Sequence, residues 1–335
     1  MSKRTGSATI AEVAEHAGVS PATVSRVMNG RFVGEPAVAE RVRASARELS
    51  YSPSHLARSL ALGRTKAVAF LVPDLANPTF QEMLSGFSKA AARDGYRALV
   101  ADSAESATEE AALAAEIRHR CDAVVLCAPR MPEAELIKLA AELQPLVLIN
   151  RTSGRITAPS LSIDYQSGVQ NLAGHLYELG HRHIVFAEGP EESASNSYRV
   201  RGLDEFCRAA PDVRLERVRA GATIESGFAI ADAVRVTGAT AVIAFNDLVA
   251  VGLINGLAEL GVSVPGDVSV TGFDDIPFAR FFTPSLTTAS VPHVELGAEA
   301  WLRLNSLIEG ESRSFDLTFQ PRLEARGSTA APRRP

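Results

Sequence analysis

Arg26, on the stretch SPATVSRVMN, is the first residue whose type and surroundings could do chemistry. Its small neighbours let a helix approach a duplex closely, and its guanidinium can fork onto O6 and N7 of guanine. A second group of such residues recurs just past apolar runs. Asn77 follows AVAFLVP, Asp102 follows YRALVA, and Asn150 and Arg151 follow PLVLI. Asn246 and Asp247 follow TAVIAF, and Asp274 and Asp275 follow VSVTGF. Amides and carboxylates gathered at strand ends fork onto adjacent hydroxyls, which is the chemistry of polyol binding. Each alone reads more readily as a cap or loop residue, and Asn246 and Asp247 could simply cap the helix LVAVGLINGLAEL.

Turnover has no such footing. The chain lacks G-x-G-x-x-G, G-x-x-x-x-G-K, H-E-x-x-H and G-x-S-x-G. His181 and His183 flank Arg182 at a helix-to-strand turn and read as surface or capping residues, and Glu191 and Glu192 as a solvated loop pair. Cys121, Cys127 and Cys207 have no metal-ligand spacing and read as reduced, buried thiols. The expectation is a binding protein with no metal and no cofactor, not an enzyme.

Two short helices must carry Arg26. Thr9 and Glu12 form a capping-box pattern, and Ile10, Val13, Ala14 and Ala17 recur at helical spacing. Gly18 offers the positive φ of a tight stop, and small Ala14 and Gly18 are expected where the helices cross. Ser20 caps the second helix and Pro21 takes its first position, where a missing N–H costs nothing. Val24 and Val27 face inward, while Ala22, Thr23, Ser25, Arg26 and Asn29 include the outward and leading positions. By spacing alone this is an ordinary helical hairpin; its chemistry favours a helix-turn-helix whose second helix enters the major groove. A third helix, 36–49, is expected to pack through Val38, Val42 and Leu49, before Tyr51-Ser52-Pro53 stops it.

The rest of the chain has a different texture. Residues 1–66 hold ten Lys/Arg against five Asp/Glu, a balance of +5, and the remainder holds 24 against 34, a balance of −10. A small basic segment joined to a larger acidic body fits a nucleic-acid reader attached to something else. With 335 residues, 46% of them hydrophobic, two or three domains are expected. No apolar run reaches a membrane span, and MSKRTGSAT has no apolar export core, so a cytoplasmic protein without membrane contact is expected. From Lys66 short apolar runs alternate with amphipathic helices, the rhythm of doubly wound parallel sheets, and it occurs in two sets.

GVSPATVSRVMNG, then Y-x-P, LARSLALGRT, VPDLANPTF, AFNDLVAVGL, GVSVPGDVSVTGFDD and FFTPSLTT closely resemble the LacI-type family of bacterial transcription regulators, in order along nearly the whole chain. The resemblance implies a helix-turn-helix domain at 1–52 and a hinge helix within 53–63. It implies an effector-binding and dimerisation core at 64–330 of the type I periplasmic-binding-protein kind. The core divides into an N-subdomain (64–163 and 292–320) and a C-subdomain (164–291 and 321–330). The tail STAAPRRP, and 331–335 in particular, reads as disordered. Implied DNA contacts are Thr9, Ser20, Pro21, Ala22, Thr23, Ser25, Arg26, Asn29, Tyr51, Ser54, Ala57, Arg58 and Leu60, with Leu60 as the minor-groove wedge. Ser54 departs from the Asn common in the family.

By the same resemblance the effector positions fall at Asn77, Thr79, Phe80, Asn150, Ser195, Arg199, Ala222, Asn246, Asp274 and Val291, with Arg199 foremost. Thr79 and Ala222 stand where aromatic residues often stack on the effector, Val291 where Gln is frequent, and Asn150 where Asp is frequent. The implied partners are a near-palindromic duplex operator, a small-molecule effector and a second copy of the chain. The implied function is a repressor controlled by a sugar-like or other metabolite. The alternatives are a nucleoside- or purine-type regulator dependent on a corepressor, and a solute-binding protein without a DNA role.

Overall fold

The computed structural model describes residues 8–51, 64–311 and 316–333. The chain divides between Thr65 and Lys66 into two compact units. The expected hinge helix, with Ser54, Ala57, Arg58 and Leu60, lies outside the described residues.

The first unit is three helices, α1 (Ile10–Ala17), α2 (Pro21–Met28) and α3 (Pro36–Glu48). The buried apolar residues of their shared core are Val and Ala: Val13, Ala14, Ala17, Val24, Val27, Ala39, Val42 and Ala46. Arg41 Nε donates to the Ala17 carbonyl at 2.9 Å, satisfying an acceptor that the end of α1 leaves open. α3 turns Ala39, Val42, Ser45 and Ala46 inward, and the expected Val38 and Leu49 are only half-buried. Helices in such close contact leave room for small side chains, and Ser45 is admitted because its hydroxyl bonds His16 Nδ1 at 3.0 Å.

The second unit holds two all-parallel sheets, as the apolar runs foretell. In the first, β1 (Ala67–Val72), β2 (Arg97–Asp102), β3 (Ala123–Cys127), β4 (Leu146–Ile149), β5 (Ser160–Ile163) and β11 (Leu317–Phe319) lie in the order β11-β5-β4-β3-β1-β2. The second holds β6 (His183–Glu188), β7 (Arg214–Arg219), β8 (Ala241–Ala244) and β9 (Ser269–Thr271) in the order β7-β6-β8-β9. β10 (Thr288–Ser290) and β12 (Arg322–Glu324) make a separate antiparallel pair. The strand order reverses between β1 and β3 in one sheet and between β6 and β8 in the other. Ligands bind α/β proteins beyond the strand ends at such switch points.

Helices fill the crossovers: α4 (Pro78–Arg93), α5 (Ala107–Arg118), α6 (Glu133–Ala140), α7 (Tyr165–Glu178), α8 (Ala194–Ala209), α9 (Ile224–Ala229), α10 (Ala231–Thr237), α11 (Asp247–Glu259) and α12 (His293–Ile308). On each sheet a helix pair brings its backbones into contact. A Cβ on Gly86 of α4 would stand 1.9 Å from the Val294 carbonyl oxygen of α12. A Cβ on Gly252 of α11 would stand 1.9 Å from that of Ile224 in α9. Only glycine fits at these two crossings.

The sequence reading of STAAPRRP as disordered needs correction through Arg333. Ser328 is fully buried, its hydroxyl donating to the Val270 carbonyl at 2.6 Å and accepting from Thr287 N at 2.8 Å. Buried His181 holds the Ala330 carbonyl at 2.8 Å through Nε2, and Arg333 pairs with Asp267 at 2.6 Å. Polar composition misleads here because polar groups on neighbouring strands answer those of the tail. His181 is accordingly a structural clasp, not a surface residue.

Candidate ligand cleft and DNA-reading helices

In the three-helix unit, the first two helices are capped as the residues dictate. Thr9 Oγ1 accepts from Glu12 N at 3.3 Å while the Glu12 carboxylate accepts from Thr9 N at 2.7 Å. Gly18 takes φ 64° with open space where a Cβ would be, so its conformation and not a helix crossing calls for glycine. Ser20 Oγ accepts from Thr23 N at 3.1 Å, and Pro21 opens α2. Pro21, Ala22 and Arg26 are exposed, and Thr23, Ser25 and Asn29 are half-buried. Arg26 donates only Nε inward, to the Ala22 carbonyl at 3.3 Å, which leaves its terminal nitrogens for an outside acceptor. Asn29 Nδ2 reaches Ser25 Oγ at 3.4 Å. Tyr51 packs half-buried against the small core, and burial raises its phenol pKa.

In the second unit, residues from both switch points close on one cavity of about 30 Å³. Nine of the ten expected effector residues line it: Asn77, Thr79 and Phe80 after β1; Asn150 after β4; Ser195 and Arg199 on α8; Ala222 after β7; Asn246 after β8; and Asp274 after β9. Val291 does not. It is buried in the apolar core, so its departure from a polar residue removes nothing from the cavity wall. The other strand-end groups serve the fold. Asp102 accepts from Leu75 N and Ala104 N, and Asp247 accepts from Ile276 N and Thr288 Oγ1. Asp275 pairs with Arg326 at 2.6 Å, and Arg151 donates to the Met131 carbonyl.

Several lining amides are already partly committed. Asn77 Oδ1 caps α4 at Thr79 N, 3.0 Å, and Asn150 Oδ1 accepts from Ile163 N at 3.1 Å. Asn246 caps α11 through Val249 N at 2.9 Å and donates to the Ala222 carbonyl at 2.9 Å. They set the shape of the site and keep their second lone pairs and N–H groups for a ligand.

The charged groups are less committed. Arg199 is 2% exposed, its guanidinium carbon 4.1–4.6 Å from the ring centroids of Tyr165, Phe245 and Phe273. Its Nη1 reaches the Ser195 carbonyl at 3.2 Å, and its Nε has no partner. Cation–π attraction offsets part of the burial cost, and burial pulls its pKa down. Asp274 is 6% exposed, and burial pushes it up to about 7 against the pull of Arg199. Thr79 Oγ1 is likewise buried and lies beside the Asp274 carboxyl, whose charged form its hydroxyl favours. These are buried polar groups at the cavity wall with hydrogen-bonding capacity left over.

Backbone strain gathers at the same place. Among the described residues, eight non-glycines have positive φ, and four of them line the cavity: Glu105 at 60°, Ala128 at 47°, Asn150 at 55° and Asp274 at 111°. Such residues cluster where a fold holds side chains for a ligand.

Five lining residues escape sequence reasoning: Glu105, Ala128, Arg130, Tyr165 and Phe245. Arg130 is 7% exposed and grips Glu105 in a two-point ion pair, Nε to Oε2 at 2.5 Å and Nη2 to Oε1 at 2.9 Å. Tyr165 and Phe245 answer the expected loss of aromatic faces at Thr79 and Ala222, since they bring rings to the wall from other segments. Phe245 precedes Asn246 directly, and that adjacency was the one signal available.

Known proteins share this architecture. Residues 9–54 match the family described as bacterial regulatory proteins, lacI family, and residues 173–329 match the periplasmic binding protein-like domain. The HTH-type transcriptional repressor CytR of Escherichia coli (strain K12) is 31% identical over 339 residues, spanning 98% of this chain and 98% of that protein. The HTH-type transcriptional regulator GalR of Salmonella typhimurium (strain LT2) is 32% identical over 332 residues, 97% of each. Among solved structures, the lac repressor dimer bound to operator and the anti-inducer ONPF superimposes with a TM-score of 0.86 at 25% identity, covering 97% of this chain and 100% of that one. The transcriptional regulator CelR–cellobiose complex gives 0.70 at 28% identity, covering 96% and 99%.

Proposed function

The chain belongs to the lacI family of bacterial regulatory proteins, and from that premise we propose that it is a homodimeric repressor whose grip on a near-palindromic operator is set by a small polyhydroxylated molecule in the cleft. The relatives it spans are transcriptional regulators rather than enzymes. The observation that carries the effector half is the convergence of nine expected residues, from strand ends and from helices α4 and α8, on one cavity at two switch points. Asp274 and Arg199 supply the charge-assisted bonds, Thr79, Asn150 and Ser195 the neutral ones, and Phe80, Tyr165 and Phe245 the apolar faces.

In this reading the core divides into 64–163 with 292–320 and 164–291 with 321–330, an arrangement suited to a hinged response to ligand. α2 enters the major groove, with Arg26 reading a base edge and Ser20, Thr23, Ser25 and Asn29 on phosphate or base. By the family resemblance Leu60 would wedge the minor groove and Ala57 would let its counterpart in the second copy approach. Two reading heads related by a two-fold axis require two half-sites of opposite sense. No helix among the described residues is long and apolar enough to cross a membrane. Work on DNA would keep the protein in the cytoplasm.

Selection of the full chain against a random duplex pool, with and without a mixture of sugars and nucleosides, tests this reading. An enriched palindrome whose recovery changes with one small molecule is expected, and Leu60→Ala should weaken that operator at least tenfold with unchanged ligand affinity. No enriched sequence under either condition would overturn it.

A further inference from the structure

Beside the cleft lies a wider concavity of about 820 Å³, bounded by the first half of α8 and the carboxyl ends of β6 and β7. It shares no lining residue with the cleft. Strand alternation puts Arg217 and Arg219 of β7 on one face of the sheet, and one helical turn puts Ser197 and Arg201 of α8 on the opposing wall. Three guanidinium groups therefore ring one hollow.

They are not equally engaged. Arg217 is tied down by Asp204 and, at 3.8 Å, by Glu188. Arg219 has only Glu191 at 3.6 Å, and both side chains are more than four-fifths exposed, a pairing of little strength. Arg201 rests over the Tyr198 ring at 4.5 Å and has no carboxylate within 4.0 Å among the described residues. Asn196, 8% exposed, uses Oδ1 to hold Gly189 N at 3.0 Å and keeps Nδ2 as a donor. The hollow thus offers two available guanidinium forks, an amide N–H and the Ser197 hydroxyl. Its acidic groups, Glu188 and Glu191, lean on Arg217 and Arg219.

Forked guanidinium donors match the oxygens of a phosphate, and the volume lies within the roughly 300–1,000 Å³ usual for small-molecule sites, far more than phosphate alone would fill. We propose that this concavity binds a phosphorylated small metabolite, Arg201 and Arg219 holding its phosphate while Glu191 swings away. The site is separate from the cleft but mechanically joined to it. α8 carries Arg201 on one face and Ser195 and Arg199 on the other, and is the element the two sites share.

Isothermal titration of the full chain at fixed ionic strength, with glucose 6-phosphate, glycerol 3-phosphate, glucose and glycerol, tests the proposal. Saturable binding of a phosphorylated probe and not of its parent alcohol is expected. The double variant Arg201→Ala, Arg219→Ala should weaken it at least tenfold while keeping operator binding, since both side chains are exposed. Glu191→Gln, which frees Arg219, should tighten it, and Arg199→Met should leave it in place. Absence of saturable binding, equal binding by the double variant, or loss in Arg199→Met alone would each overturn it, the last by placing the phosphate in the cleft.

Discussion

The two sheets wall the same cavity in opposite ways. The wall built on β1, β3 and β4 spends much of its polar capacity on itself. Asn77 caps its helix, Asn150 holds the next strand, and Arg130 locks onto Glu105. Glu105, Ala128 and Asn150 are also fixed in left-handed backbone. The wall built on β6, β8 and β9 holds charge in reserve, with a caged Arg199 whose Nε lacks a partner and an Asp274 held near neutrality. One wall is a mould and the other a source of binding energy. Recognition of this kind needs both, since a committed wall gives shape without affinity and an uncommitted one gives affinity without selection.

The comparison can be broken at its foundation first. Both walls rest on a helix crossing that admits only glycine, so Gly86→Ala and Gly252→Ala should each cost about 1–3 kcal/mol, toward the upper end because the obstacle is backbone. Chemical denaturation measures it, and a neutral Gly86→Ala would show that the first sheet is less tightly built than the second.

Next comes the division of labour. Arg199→Met should weaken effector binding by about 1.5–3 kcal/mol, the worth of hydrogen bonds to a charged group. Arg130→Met should instead lower thermal stability, because it strands the half-buried Glu105, and should broaden ligand preference more than it weakens affinity. Titration of a ligand panel against both variants decides the matter, and the reverse pattern would exchange the two roles.

A smaller effect sharpens the electrostatic side. Asp274 rises from 3.8 to about 7 in the fold, so the folded chain holds its proton more tightly than the unfolded one. Stability from this group is full below about pH 4 and is lost as pH rises through 7. His293, lowered to about 4 by burial, has the opposite slope, losing stability as pH falls from 6.5 toward 4. Asp274→Asn should therefore gain on the wild type progressively between about pH 4 and 8 in thermal melts, and a constant difference across that range would refute the shift.

The fold was legible where apolar runs were buried on both sides, which is why β1, β3, β4, β6 and β8 stand out from the letters. β7, RLERVR, did not, because an edge strand half covered by a helix can be charged. The cleft was legible where a residue stands within a few positions of its strand end, as Asn77, Asn150, Asn246 and Asp274 do. Glu105 and Arg130 were invisible because their meaning lies in a pairing across 25 positions, and no local pattern encodes it. Val291 failed for the opposite reason: position in a motif does not tell whether a side chain turns to the cavity or the core. The tail failed because its partners, His181, Val270 and Thr287, lie far upstream.

A cavity of about 30 Å³ has room for a water or two and for nothing the size of a sugar. Entry and exit must then wait for the two walls to part, so timing becomes a property of the protein more than of its ligand. Observed association rates should level off at high ligand concentration, at the rate of opening. Departure is gated by the same event. A regulator built this way filters out brief fluctuations in its signal and, once loaded, stays committed for a residence time set by the opening of its own walls.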